Sequence, residues 1–178
     1  MFAKYRNRVV LFCSGIRLLS QKLPTVYLVL IFLIPFVLHQ ANLPRMLNIP
    51  QIYLDEMIAH AIREYPLEAC GLIAGTGDRV DGFYKTHNDA ASARIYTVNP
   101  LDYLKADRDA EARGTSIIGV MHSHTHSEAY PSPTDVAQAP DPNWHYILVS
   151  LKHKDPILRS FSIVEGNIVE ESVVRVNC

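Results

Sequence analysis

Side chains that commonly bind metals are concentrated in one short segment of the chain. His122 and His124 follow the apolar run 117–121 and are separated by one serine. On an extended chain, residues i and i+2 point the same way, so these two imidazoles can reach one ion. A His-x-His pair taken alone is more often incidental than metal-binding. The residues around the pair therefore decide whether it is a site.

The neighbouring segments predict that the pair lies at the end of a buried strand. The run 117–121 is typical of a central strand, whose C-terminal end would deliver His122. Upstream, apolar residues at helical spacing within 54–65 predict an amphipathic helix, and a short buried strand follows at 69–74. Downstream, a short helix is predicted at 134–139, beginning near Asp135.

The remaining segments predict an α/β fold. A second helix is predicted from Pro100 to Gly114, because proline suits the start of a helix and glycine its end. Further strands are predicted at 80–87, 95–98, 144–151, 159–164 and 168–176, with Gly166-Asn167 as the turn of the last pair. Helices interleaved with mostly neighbouring strands predict a mixed β-sheet flanked by helices.

The spacing beyond the histidine pair resembles that of the JAMM (Jab1/MPN) zinc metalloprotease family. His122-Ser-His124 is followed by seven residues, then Ser132, two residues and Asp135, without a gap or substitution relative to that family's pattern. A catalytic zinc has three protein ligands and an open position for water, and two imidazoles with one carboxylate supply that set. The resemblance implies one Zn²⁺ ion held by His122, His124 and Asp135, in a cytidine-deaminase-like JAMM/MPN fold.

Two further residues take predicted catalytic roles from the same resemblance. Glu68 lies at the predicted junction of helix and strand, where the family places the glutamate that accepts a proton from water; the alternative is a solvated surface side chain. Ser132 resembles the serine that donates a hydrogen bond to the developing oxyanion, although its position also suits a helix N-cap.

The resemblance to the family extends over residues 49–174. Within the family, the sequence is most similar to bacterial hydrolases that act on sulfur carrier proteins. This similarity is carried by the segments 68–72, 122–125, 128–132, 145–150 and 159–161. It implies hydrolysis of the amide between the C-terminal glycine of a ubiquitin-like sulfur carrier and cysteine, with release of cysteine. The carrier's extended Gly-Gly tail would then lie along a sheet edge. The alternatives are a general JAMM isopeptidase for ubiquitin-like conjugates and a non-catalytic MPN scaffold.

Other polar residues between His122 and Asp135 are alternative candidates for the metal site. His126 and Glu128 mimic the His-x-Glu of a nucleobase deaminase, but the Pro-Cys-x-x-Cys motif of those enzymes does not follow. His126 could compete with Asp135 as the third ligand, although the proline-containing turn at 130–133 favours a position at the rim. Ser123 is predicted to point away from the metal and to orient the loop.

Composition and charge exclude several classes of function. Apolar residues make up 48% of the chain and charged residues 20%, which is typical of a folded globular protein. The formal net charge of -1 gives no reason to expect a nucleic-acid partner. Three widely spaced cysteines predict neither a disulfide framework nor a Cys-x-x-Cys metal site, and favour a reducing compartment such as the cytoplasm.

The first 45 residues differ in character from the rest. Basic residues precede the apolar run 26–38, the order typical of a signal or anchor sequence. As a helix this run would reach only about 20 Å, short of the roughly 30 Å hydrocarbon core, and Pro35 interrupts it. We expect residues 1–45 to be a hydrophobic leader or an extension that results from a start codon assigned too far upstream. If these residues are translated, they would anchor the protein to a membrane. Residues 46–178 are expected to form the hydrolase domain.

Overall fold

The computed structural model describes residues 45–177. The predicted leader therefore lies outside the described residues, apart from Arg45. Within residues 45–177, no helix combines the length and the apolar character needed to cross a membrane. The described part contains seven strands and three helices: β1 Met46–Pro50, α1 Gln51–Glu64, β2 Cys70–Thr76, β3 Arg79–Thr86, α2 Pro100–Ala112, β4 Ser116–His124, α3 Pro133–Ala137, β5 His145–Ser150, β6 Ile157–Val164 and β7 Asn167–Val176.

The strands form one mixed sheet that closes on itself as a barrel, in the order β1-β3-β2-β4-β5-β6-β7. Strand β4 is antiparallel to β2 and parallel to β5, which confirms the predicted mixed sheet. The closure was not predicted. It depends on β1, which pairs with β7 along five residues and with β3 at Asn48 alone.

Three local predictions differ from the structure. Residues 95–98 do not form a strand, and Val98 makes only an isolated bridge to Asn88. The turn between β6 and β7 is centred on Glu165 and Gly166, both with positive φ, instead of on Gly166-Asn167. Strand β4 continues through His124, so both histidines belong to the strand and not to the loop after it.

The core lies between α1 and the barrel wall. Leu54, Met57 and Ala61 of α1 are buried against apolar side chains from β1, β2, β4 and β5. This confirms the predicted amphipathic helix, since its apolar face covers the sheet. Gly119 has a separate role: a Cβ there would lie 2.3 Å from the carbonyl oxygen of His145, so glycine permits the close approach of β4 to β5. Both features fix the strand that carries the two histidines.

Candidate metal centre

The two predicted histidine ligands lie side by side at the end of β4. Because His122 and His124 are separated by two positions on one strand, their side chains leave the same face of the sheet. Both are buried, at 1% and 4% exposure. Their Nε2 atoms are 3.2 Å apart. Neighbouring strands hold the backbone of β4 on both sides, with His122 opposite Cys70 of β2 and Leu148 of β5.

Asp135 reaches the same point from α3. Its Oδ1 lies 3.4 Å from His122 Nε2 and its Oδ2 lies 3.4 Å from His124 Nε2. A capping box fixes the carboxylate: the Ser132 backbone N–H donates to Asp135 Oδ2 at 2.6 Å, and the Asp135 N–H donates to Ser132 Oγ at 3.2 Å. The structure thus brings all three predicted metal ligands together.

The spacing of these atoms suits a tetrahedral zinc ion. Donor atoms at about 2.0–2.2 Å from a tetrahedral zinc are about 3.3–3.5 Å from one another. The two imidazole nitrogens are 3.2 Å apart, close to this spacing, and each of them lies 3.4 Å from a different oxygen of the Asp135 carboxylate. His124 also donates from Nδ1 to the carbonyl of Glu128 at 2.8 Å, which leaves its Nε2 lone pair facing the shared point. Two neutral imidazoles and a carboxylate are therefore arranged as a metal site.

The electrostatics of the cluster keep Asp135 ionised. Burial acts to raise the pKa of Asp135, but the facing imidazoles of His122 and His124, each 3.4 Å from one carboxylate oxygen, outweigh burial and hold that pKa well below its usual range. Burial lowers the pKa of His122. For His124 burial acts in the same direction, but the hydrogen bond to Asp135 and the adjacent carboxylates raise the pKa overall. The cluster favours a positive charge at its centre.

Glu68 lies beside this cluster, between α1 and β2. It is 4% exposed and lines one cavity of about 570 Å³ together with His124 and Ser132. Burial raises the pKa of Glu68 to about 7, with His124 lowering it and Asp135 raising it further. The alternative of a solvated surface glutamate is therefore wrong. A carboxyl group that titrates near neutrality is suited to accepting and returning a proton.

Two serines of the motif have visible structural roles. Ser132 caps α3 and is half-buried at the cavity wall, so the alternative of an N-cap is confirmed, while its oxyanion role stays a prediction. Ser123 accepts a hydrogen bond at Oγ from the Ala69 N–H at 2.8 Å, and its own N–H donates to the Ala69 carbonyl at 2.9 Å. Ser123 therefore ties the histidine strand to the residue after Glu68, as the predicted structural role requires.

The competing candidates lie outside the cluster. His126 is exposed, contacts the Thr125 hydroxyl at 2.7 Å and lines the rim of the cavity. The side chain of Glu128 is an exposed partner of Lys152, at 2.7 Å. Cys70 is buried, and burial raises its pKa to about 11, which argues against a thiolate nucleophile. The position of His126 at the rim matches the prediction made for it.

Sequence reasoning missed the contribution of the segment 88–97. Tyr96 stacks on the His122 ring with centroids 4.4 Å apart. The Glu68 N–H donates to the Ser92 carbonyl, and Asn88 Nδ2 donates to the Glu68 carbonyl, both at 2.9 Å. The aromatic ring of Tyr96 was visible in the sequence, but residues 95–98 were predicted as a strand, and no pattern placed Tyr96 over the histidines.

Comparison with known proteins identifies the family of this chain. The family model described as prokaryotic homologues of the JAB domain matches residues 50–164. The chain is 40% identical over 124 residues to a protein of Mycobacterium tuberculosis named CysO-cysteine peptidase, covering 67% of this chain and 84% of that protein. It is 38% identical over 95 residues to a probable TtuB-protein conjugate cleaving protease of Thermus thermophilus, covering 52% and 63%.

A solved structure agrees in fold. The solution structure of a protein from Desulfitobacterium hafniense is 32% identical in sequence, with a TM-score of 0.69, and the match covers 75% of this chain and 94% of that one. The family match spans α1, the histidine strand and the aspartate helix, which are the elements that build the cluster. The chain therefore belongs to the family of prokaryotic homologues of the JAB (Jab1/MPN) domain.

Proposed function

We propose that this protein is a zinc-dependent metallopeptidase of the JAMM class. The observation that carries the proposal is the convergence of His122, His124 and Asp135 on one point, with Glu68 in the same cavity. The three ligand atoms lie within 4.8 Å of one another and all three side chains are buried. A zinc ion bound there supplies Lewis acidity and makes water a competent nucleophile near neutral pH.

Glu68 is proposed as the general base and then the general acid. Its carboxylate takes a proton from the attacking water while oxygen bonds to the amide carbon. The same proton is then given to the amide nitrogen as the carbon–nitrogen bond breaks, so that a carboxylic acid and a free amine leave. Burial raises the pKa of Glu68 when no ion is bound, and its position in the cavity allows it to accept a proton and to return it.

Ser132 is proposed to stabilise the oxyanion that forms on the carbonyl oxygen. Its hydroxyl accepts a hydrogen bond from the Asp135 N–H, so the hydroxyl hydrogen is free to be donated elsewhere. The residue faces the same cavity as Glu68. A donor aimed at developing negative charge lowers the barrier to acyl transfer. The capping role and the catalytic role are therefore compatible.

The proposed substrate is the amide between the C-terminal glycine of a ubiquitin-like sulfur carrier and cysteine. The name of the Mycobacterium tuberculosis relative describes a peptidase for a cysteine adduct, and that relative is matched over 84% of its length. The proposed partner is thus a carrier protein with an extended Gly-Gly tail. We place the reaction in the cytoplasm, because the three dispersed cysteines favour a reducing compartment.

A second candidate is hydrolysis of an isopeptide bond between a ubiquitin-like protein and a lysine. It is favoured by the name of the Thermus thermophilus relative, which describes cleavage of a protein conjugate. Both reactions would use the same five side chains. They differ only in what is attached to the departing nitrogen.

One assay tests the proposal and ranks the two substrates. Purified zinc-loaded protein is mixed with a carrier–cysteine conjugate and, separately, with a carrier–lysine conjugate, and the products are followed by mass spectrometry with and without a chelator. We expect release of cysteine, loss of that release with the chelator, and slower cleavage of the lysine conjugate. Purified protein with almost no zinc and no cleavage of either conjugate would instead support the non-catalytic scaffold.

A further inference from the structure

The cavity beside the metal cluster carries a cationic residue that the proposed chemistry does not use. Arg94 lines this cavity together with Glu68, His124 and Ser132. Its side chain is exposed, and within residues 45–177 its guanidinium makes no salt bridge. Four other arginines of the described residues pair with carboxylates, namely Arg45, Arg79, Arg113 and Arg159. Arg63, Arg108 and Arg175 do not, but none of these three lines this cavity. Arg94 is thus a permanent positive charge available to a ligand in the cavity.

The loop that carries Arg94 is fastened to the site on both sides. Ser92 accepts a backbone hydrogen bond from Glu68 at 2.9 Å. The Thr125 hydroxyl, one residue after His124, donates to the Ala93 carbonyl at 3.1 Å. The Arg94 N–H itself donates to Ser92 Oγ at 3.1 Å. The backbone at Arg94 is therefore held in register with both Glu68 and the histidine strand.

A ligand with a carboxylate needs such a charge at this place. Asp135 and Glu68 would together balance the charge of a bound zinc ion, so a ligand carboxylate in this cavity would need a further cation. In an amide formed by the α-amine of an amino acid, the free α-carboxylate is two bonds from the scissile nitrogen. In an isopeptide formed by a lysine side chain, no carboxylate lies near that nitrogen. A guanidinium binds a carboxylate through two parallel hydrogen bonds.

We propose that Arg94 binds the free α-carboxylate of the departing amino acid and so makes the site selective for a single C-terminal residue over an isopeptide-linked protein. The inference rests on the proposed function, because it concerns the amino acid that leaves when the scissile amide bond is hydrolysed. An enzyme with this selectivity removes one C-terminal residue, which is the specificity of a carboxypeptidase. Arg94 is a specificity residue here and takes no part in the proton transfers.

The test measures binding in the absence of turnover. Zinc-loaded protein with the substitution Glu68→Gln is titrated with two synthetic peptides that end in Gly-Gly-(S-methyl)Cys, one with a free carboxylate and one with a carboxamide. Methylation keeps the cysteine sulfur from acting as a thiolate ligand. We expect the acid to bind roughly tenfold more tightly than the amide, as charge-assisted bidentate hydrogen bonds imply.

Three variants made in the same background locate the effect. Arg94→Ala should abolish the preference for the acid, and Arg94→Lys should restore only part of it. Arg108→Ala is the matched control, since Arg108 is an exposed arginine on α2 away from the cavity lining. Equal binding of acid and amide, or a preference that survives in Arg94→Ala, would overturn the inference.

The same peptides with unmodified cysteine separate this inference from the proposed function. If protein with native Glu68 hydrolyses neither peptide but the Arg94-dependent preference for the acid is measured, the carboxylate site stands and the hydrolase proposal fails. If native protein hydrolyses acid and amide at equal rates, the hydrolase stands and the role of Arg94 is wrong.

Discussion

Two clusters in the same barrel combine a buried histidine with carboxylate, and they bind different cations. One is the metal cluster of His122, His124 and Asp135. The other, which we call the Arg45 cluster, consists of Arg45, Asp78, His145 and Glu171. In the Arg45 cluster the His145 Nδ1 donates to Glu171 at 2.8 Å, while the Arg45 guanidinium donates to His145 Nε2 at 3.0 Å and to Asp78 at 2.8 Å.

The histidines of both clusters follow the same rule. His145 and His124 each donate from Nδ1 to an oxygen and turn Nε2 inward as an acceptor. In the Arg45 cluster the protein supplies the cation that this acceptor meets. In the metal cluster, three acceptors converge and no lysine or arginine of the described residues pairs with them. Histidine near carboxylate is therefore not diagnostic of a metal, whereas convergence of acceptors without a protein cation is.

Removing a metal ligand should have the largest effect, on both zinc content and hydrolysis. Asp135→Asn keeps the shape of the side chain but removes the negative charge and replaces one carboxylate oxygen by an amide NH2, which donates hydrogen bonds and does not bind a metal. We expect zinc recovered after dialysis to fall to near zero and hydrolysis of the carrier–cysteine conjugate to fall at least about 100-fold, measured by metal analysis and by mass spectrometry. The exposed Asp155→Asn is the control and should retain both. Full zinc content in Asp135→Asn would contradict the ligand assignment.

Disrupting the Arg45 cluster should affect stability and leave metal binding intact. Glu171 is 3% exposed and also accepts from the Ser160 hydroxyl at 2.7 Å. Glu171→Gln removes a buried charge that His145 and Arg45 face, so we expect the free energy of unfolding to fall by about 3 kcal/mol in urea titrations. Zinc stoichiometry should not change. A variant as stable as Glu111→Gln, an exposed control on α2, would show that the cluster is dispensable.

Glu68, beside the metal cluster, should destabilise the metal-free protein as pH rises. Burial raises the pKa of Glu68 from 4.5 to about 7, so between these values the folded protein binds more protons than the unfolded chain. Its stability contribution is complete below pH 4.5 and is lost as pH rises through 7. Glu68→Gln should therefore be more stable than native metal-free protein at about pH 8, by about 2–3 kcal/mol, and equal to it at about pH 4. The reverse order at the higher pH would contradict this.

The smallest effect is expected at the cation of the Arg45 cluster. The Arg45 side chain is 33% exposed, so its ion pair with Asp78 is partly screened by solvent. Arg45→Ala should lower the free energy of unfolding by about 1 kcal/mol, measured alongside Arg108→Ala as the control. A loss as large as that of Glu171→Gln would mean that the guanidinium contributes as much as the buried carboxylate.

The metal cluster could be predicted because its ligands are close in sequence. His122, His124 and Asp135 lie within one strand–loop–helix unit, and their spacing is a property of the chain alone. The helical periodicity of α1 likewise reports a local face that must be buried. The roles of Glu68 and Ser132 were inferred from family resemblance, because no local pattern links residue 68 to residue 124.

The rest depends on contacts between distant parts of the chain. Arg45 is separated by 33 residues from Asp78 and by 100 from His145, so no sequence window contains their cluster. Closure of the barrel depends on β1 pairing with β7 at the other end of the domain. The segment 88–97 is held mainly by side-chain hydrogen bonds to backbone atoms, which have no periodic signature. These features follow from tertiary packing.

The central claim is that three side chains hold the zinc while Glu68 moves the proton. The most direct test is to measure the zinc content and the turnover of Glu68→Gln on the carrier–cysteine conjugate, beside native protein. We predict one zinc per chain in both proteins and a rate lower by about 10²–10⁴-fold in the variant, because the base is removed and the ligands are kept. Normal turnover by Glu68→Gln would contradict the account.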